Sequence, residues 1–181
     1  MANVNNIATG KYGIVNLRKV AGVKTGEHNI QYALNSTDFA SINCQNGFLL
    51  VEDHVNKTID LPGAATDRVG LIASVEKIYD SSDMSLGAFS LPIGTFNPRI
   101  YRFKIGDKFD TNCFKYDDGD YADYAAIVAA IGAPVYAYPN TDGYITLTAA
   151  QNAGAAIELQ VVGSLTLPAG ESALTFVCTK A

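Results

Sequence analysis

Few residues in this chain of 181 have the types and spacing that chemistry requires. A catalytic nucleophile needs a base within hydrogen-bond reach and a third group to orient that base. Imidazole is offered only by His28 and His54. His28 follows Gly26-Glu27 near the start, and His54 follows Glu52-Asp53 where an apolar run gives way to a turn. Both read as solvated surface histidines, not as general bases. The Gly-x-Ser-x-Gly elbow, the His-Glu-x-x-His zinc helix, the phosphate loop ending in Gly-Lys-Ser/Thr and the Gly-x-Gly-x-x-Gly turn are all absent. No catalytic and no cofactor-binding residue is therefore assigned, and a non-enzymatic protein is expected. Zinc calls for paired Cys or His ligands, and Cys44, Cys113, Cys178 and the two histidines form no such pair. The nearest approach to a metal site is Asp117, Asp118, Asp120 and Asp123, four carboxylates in seven residues. They are oxygen ligands of the kind Ca²⁺ takes, but the Gly and terminal Glu of an EF-hand loop are missing. A solvated turn and a helix cap account for the same residues, so no metal is expected. Tyr136, Tyr138 and Tyr144 have faces on which a sugar can stack, yet cross-strand aromatic packing explains them as well.

The elements that would position these groups are short. Sixteen Gly, six Pro and many Asn, Asp, Ser and Thr separate brief apolar runs, which is the rhythm of strands joined by turns. Strands are expected at 13–17, 47–52, 69–79, 99–105, 134–138, 144–148, 157–167 and 173–179. In Ile100-Tyr101-Arg102-Phe103-Lys104-Ile105 the side chains alternate, with Tyr101, Phe103 and Ile105 on one face and Arg102 and Lys104 on the other. Pro139-Asn140-Thr141-Asp142-Gly143 reads as a hairpin loop with Gly143 at a positive-φ position. One segment breaks the pattern: a helix over 121–131, with Asp120 as its cap, Asp123 in its first turn, and Gly132 and Pro134 as its stop. The fold class is therefore all-β, a mainly antiparallel barrel or sandwich with one short helix near 121–131. Residues 1–30 read as an N-terminal arm or loosely packed segment, mildly basic through Lys11, Arg18, Lys19 and Lys24, and 31–181 as a single β-rich domain.

Composition narrows the function. Hydrophobic residues are 48% of the chain and charged residues only 17%, so an unusual share of the surface must be neutral, as subunit contacts are. From Tyr124 to Ala181 the charged residues are Asp142, Glu158, Glu171 and Lys180 alone. The net charge of −5 and the scattering of the basic residues argue against direct nucleic-acid binding. No apolar run approaches the length of a membrane span, and the start has no basic-then-apolar leader, so synthesis in a cytoplasm is expected. An odd number of cysteines without close spacing suits buried free thiols.

The stretch Phe103-Lys104-Ile105-Gly106-Asp107-Lys108-Phe109-Asp110-Thr111-Asn112 is similar to the strand, Gly-Asp, aromatic, Thr-Asn step of small virion proteins of tailed bacteriophages. The order of the C-terminal runs, Ala133 to Pro139, Gly143 to Leu147, Leu159 to Val162 and Leu174 to Val177, resembles theirs too, so the likeness covers residues 99–181. It implies an auxiliary capsid protein of the head-decoration or cement type, attached to the capsid surface. Its partners would be the major capsid protein or other virion subunits, as a homo-oligomer or as lattice-bound copies. A tail, neck or head-fibre component, or a carbohydrate- or host-surface-binding β module, are the alternatives.

Overall fold

The computed structural model describes residues 4–6, 13–22, 26, 28–29, 31–74, 90–91, 93, 98–117, 119–167 and 170–181. Two open sheets are built from them. The first has eight strands in the spatial order β1 (Val4–Asn6), β10 (Phe114–Asp117), β12 (Ile145–Thr148), β11 (Tyr136–Pro139), β13 (Glu158–Thr166), β14 (Ser172–Lys180), β9 (Lys108–Thr111) and β2 (Val15–Lys19). The second has six: β3 (His28–Asn29), β8 (Ile100–Arg102), β7 (Val69–Ile72), β5 (Leu49–Asp53), β6 (Thr58–Asp60) and β4 (Ala33–Leu34). Pairing is antiparallel except between β10 and β12 and between β4 and β6. Neither sheet closes on itself, so the all-β expectation is met by a sandwich and not by a barrel.

Period-two alternation explains how the layers adhere. Leu49, Leu71 and Tyr101 lie opposite one another on three neighbouring strands of the second sheet. All three enter the main core, where they meet Phe109, Phe114, Leu159 and Phe176 of the first sheet. The rings of Phe103, Phe109, Phe176 and Phe114 follow one another at centroid distances of 5.6, 5.5 and 6.0 Å. The opposite face of the second sheet carries Leu50, Ile72 and Ile100, which pack under Phe39, Cys44, Phe48 and Leu91. Every residue of β7 is consequently buried, as a strand covered on both sides requires. Residues 75–79 of the strand expected at 69–79 lie outside the described residues.

Helix α1 (Tyr124–Ala130) is shorter than the expected 121–131 and is capped one turn later. Asp123, expected inside the first turn, is the cap: its carboxylate accepts from Ala126 N at 2.8 Å. Asp120 instead accepts from Ala149 N at 3.2 Å, which ties the loop to a neighbouring segment and keeps 121–123 out of the helix. The helix ends at Ile131, before Gly132 at φ 119°. Among the described residues no helix is long and apolar enough to cross a membrane.

Part of the segment read as an arm is packed on the body. Ile14 and Val20 are buried, β2 pairs with β9, and Arg18 reaches the fully buried Asp110 at 2.5 Å. Asp107, Thr111 and Asn112 bind this stretch from below. Asp107 accepts from Ala21 N at 2.8 Å, Thr111 Oγ1 donates to Ile14 O at 2.5 Å, and Asn112 Oδ1 accepts from Ile14 N at 2.6 Å. The amide of Asn112 in turn donates to buried Glu171. Asp107, Thr111 and Asn112 of the stretch noted in the sequence thus hold the two ends of the β2 segment to the sheet.

Candidate functional site

Polar side chains converge at the end of the second sheet where β5 and β8 finish. Glu52 and Arg102 occupy its outward face, on strands separated by β7. Gly70 stands on β7 directly opposite Arg102 and has no side chain, so the guanidinium crosses the central strand. Its Nε donates to Glu52 Oε2 at 2.7 Å. A Cβ at Gly70 would lie 2.6 Å from Ile100 Cγ1, so only glycine fits there.

His54 begins the turn after β5, and that turn is held by Asp53. The Asp53 carboxylate accepts from Val55 N at 2.7 Å, Asn56 N at 3.0 Å and Asn56 Nδ2 at 2.7 Å. The Asn56 backbone N–H, followed by its side-chain amide and then Val55, holds the Asp53 carboxyl below its ordinary range. His54 Nε2 lies 3.2 Å from Arg102 Nη2, and Nδ1 lies 2.9 Å from Tyr32 Oη. A guanidinium only donates, so Nε2 is the acceptor and the proton sits on Nδ1, where it donates to Tyr32. The tyrosine hydroxyl keeps its own proton for a further partner.

Two clefts flank this ridge and share Glu52, His54 and Arg102. One, of about 490 Å³, is further lined by residues that include Asp67, Arg68, Phe103, Ile157 and Ala181. The other, of about 450 Å³, adds His28, Gln31, Tyr32 and Ile100. The sequence presented the two histidines as unrelated surface residues; the fold sets both beside one ridge. His28 lies against Tyr101, with ring centroids 5.1 Å apart, and its Nδ1 has no partner among the described residues. Nothing matches this chain among known protein families, curated proteins or solved structures.

The acidic cluster is taken apart by the fold. Asp117 accepts from Gly119 N at 2.8 Å, while Asp120 and Asp123 are engaged as described above, and Asp118 lies outside the described residues. Each carboxylate of the three serves a different stretch of backbone. Among the described residues no group of three or more His, Cys, Asp or Glu is placed to hold a metal ion. Of the tyrosines near the hairpin, Tyr138 and Tyr144 are packing groups and Tyr136 is partly exposed. Tyr138 is buried, donates to Glu158 at 3.3 Å and accepts from Asn152 N at 2.6 Å. Tyr144 meets the edge of Phe48 at 4.8 Å and lies under Lys115 Nζ at 4.1 Å. Gly143, at φ 84°, has Phe48 so near that a Cβ would come within 2.8 Å of it.

All three cysteines are free and buried. Burial pushes each thiol up, Cys178 to about 11, Cys44 further, and Cys113 well above the ordinary thiol range. Thiolate is the reactive form, so the native protein at pH 8 is expected to resist iodoacetamide and to react at all three positions once unfolded in guanidinium. Rapid labelling of the native chain, read by mass spectrometry, would contradict the burial.

A second surface carries a row of neutral side chains. Cross-strand register places Thr146 beside Tyr138, Thr148 beside Tyr136, Tyr136 beside Gln160, and Gln160 beside Val177 on the outer face of the eight-stranded sheet. Tyr136, Thr146, Thr148, Gln160 and Val177 are each partly exposed. Charge is drawn aside around them. Burial raises the Glu158 carboxyl, but hydrogen bonds from Gln151, Thr179, Tyr138 and Gln160 outweigh this and leave it below the usual range. Lys115 is held by Asp142 at 2.5 Å.

Proposed function

We propose that this protein is an auxiliary capsid or decoration protein of a tailed-phage virion, attached through the outer face of its eight-stranded sheet. The observation that carries the proposal is the row Thr148, Tyr136, Gln160 and Val177, partly exposed and without a charge, across four adjacent strands. A row of neutral side chains loses little side-chain entropy on docking, and the nearest charge on this face is the exposed Lys108 beside Val177, at one end of the row. Such contacts are individually weak, and the symmetry of a shell repeats them over many copies. The resemblance of residues 99–181 to small virion proteins supports the same reading. The clusters at Asp110, Asn112 and Glu171 hold strands together, and no chemistry is assigned to them.

Quantitative mass spectrometry of purified virions is expected to find the chain at a copy number matched to a capsid symmetry class. Val177→Lys would place a second ammonium beside Lys108, its partner on β9. The charge would be buried unpaired at the interface, and occupancy on particles is expected to fall by about tenfold or more with the melting temperature nearly unchanged. Full occupancy of that variant would rule this face out, and absence of the chain from virions would end the proposal.

A further inference from the structure

We propose that one end of the six-stranded sheet docks on an anionic lipid surface, with Val55 and Ile105 entering the apolar layer and Lys57 and Arg68 meeting the headgroups. Among the described residues Val55 and Ile105 are the most exposed large apolar side chains, at 90% and 71%. Strand pairing brings them to the same end. β5 and β8 both run antiparallel to β7 between them, so the turns that follow β5 and β8 project together, two strand spacings or about 10 Å apart. Arg68 immediately precedes β7 and therefore stands between these turns. Each turn is held in shape by a carboxylate. Asp53 accepts from Val55 N and Asn56 N, and Asp107 accepts from Lys104 N at 2.9 Å, while Gly106, at φ 90°, donates to Cys178 O at 2.8 Å. Tips on turns already fixed need little further ordering on contact.

Charge around the tips is sorted by depth. The carboxylates face inward: the Glu52 side chain is 8% exposed beside Arg102, Asp67 accepts from Gly63 N and Ala64 N, and Asp53 and Asp107 are engaged in the turns. The cations face outward. Lys57, Arg68, Arg102 and Lys104 are all exposed, and Lys57 and Arg68 have no ion-pair partner among the described residues. Aliphatic tips with cations beside them match the layering of an anionic bilayer, which is apolar beneath a negatively charged surface. A protein partner would need two pockets cut to the spacing of the tips, whereas acyl chains accept them at any spacing. The inference rests on these turns and not on attachment through the sheet face, so the two can fail separately.

Flotation of the full chain with lipid vesicles tests it. The chain is expected to float with vesicles of phosphatidylglycerol and phosphatidylcholine in equal parts, and added salt should release it by screening the headgroup charge. Vesicles of phosphatidylcholine alone should bind it more weakly by about tenfold or more. Val55→Ser with Ile105→Ser, and separately Lys57→Gln with Arg68→Gln, should each weaken partitioning by about tenfold or more. The melting temperature should be nearly unchanged in both, because all four side chains are exposed. No flotation with the anionic vesicles would overturn the proposal, as would equal binding to phosphatidylcholine or unchanged binding in either double variant. Polyglutamate bound as tightly as the anionic vesicles would overturn it too, and would assign this end to an acidic polypeptide.

Discussion

Removing residues 2–24 is expected to abolish cooperative unfolding, not to release an intact core. A detachable arm would leave no gap behind it, but β2 is held by side chains that no other segment can replace. Ile14 and Val20 are each 3% exposed, and burying side chains of this size stabilises by roughly 1.5–3 kcal/mol apiece. Asp110 is fully buried and loses both Arg18 and the Asn16 amide, at 2.5 and 3.3 Å, keeping among the described residues the Thr175 side chain at 2.7 Å. Removing one partner of a buried pair costs about 3–5 kcal/mol, and the lower end applies because Arg18 is half exposed and water would reach the new edge. Asn112 and Thr111 also lose Ile14 as partner. These losses match the whole stability of a typical domain, about 5–15 kcal/mol. Circular dichroism of the truncated chain should show no sharp thermal transition. The single variant Arg18→Met should still melt cooperatively, at a lower temperature. A truncated chain that is soluble, β-rich and sharply melting would show that 1–30 is an arm after all.

The second large effect is expected at Ile127. Its side chain is fully buried in the main core, and its N–H donates to Asp123 O at 3.2 Å. Ile127→Pro removes that donor and drives the ring against the same carbonyl, which costs about 3 kcal/mol. It also withdraws most of a buried side chain, worth roughly 2–5 kcal/mol when truncated. Ile127→Ala isolates the second effect, because alanine keeps the N–H and favours the helix. In urea the proline variant should unfold at a distinctly lower midpoint than the alanine variant, by about 3 kcal/mol at matched slopes. Equal midpoints would mean that the 124–130 backbone contributes nothing as a helix.

Those two positions also mark the boundary between local and non-local information. Ile127 was legible: a run of alanines and isoleucines between an Asp-rich turn and a Gly-Ala-Pro stop encodes a helix within a dozen residues. Only the cap was misplaced, since Asp120 and Asp123 are equally good caps and Ala149, distant in sequence, engages the first of them. The β-rich class, the Gly143 turn and the longer strands such as β13 and β14 were likewise written in alternation and turn chemistry. The short strands β3, β4, β6, β9 and β10 were not. With two to four residues each, they carry too little pattern, and their extended form is set by the neighbours they pair with.

By itself, then, the sequence determined that this chain makes a charge-poor, β-rich body with one short helix and buried thiols, because those properties follow from composition and from periodicities a few residues long. Only the tertiary structure decided which strands are neighbours. That choice fastens β2 to Asp110 and Asn112 and aligns Thr148, Tyr136, Gln160 and Val177 in one row. It also carries Arg102 across the bare Gly70 to Glu52 and His54. Register is a global property: a shift of one residue in β7 would turn Gly70 to the opposite face and put Val69 or Leu71 beneath the guanidinium, and no local pattern in the chain forbids that shift.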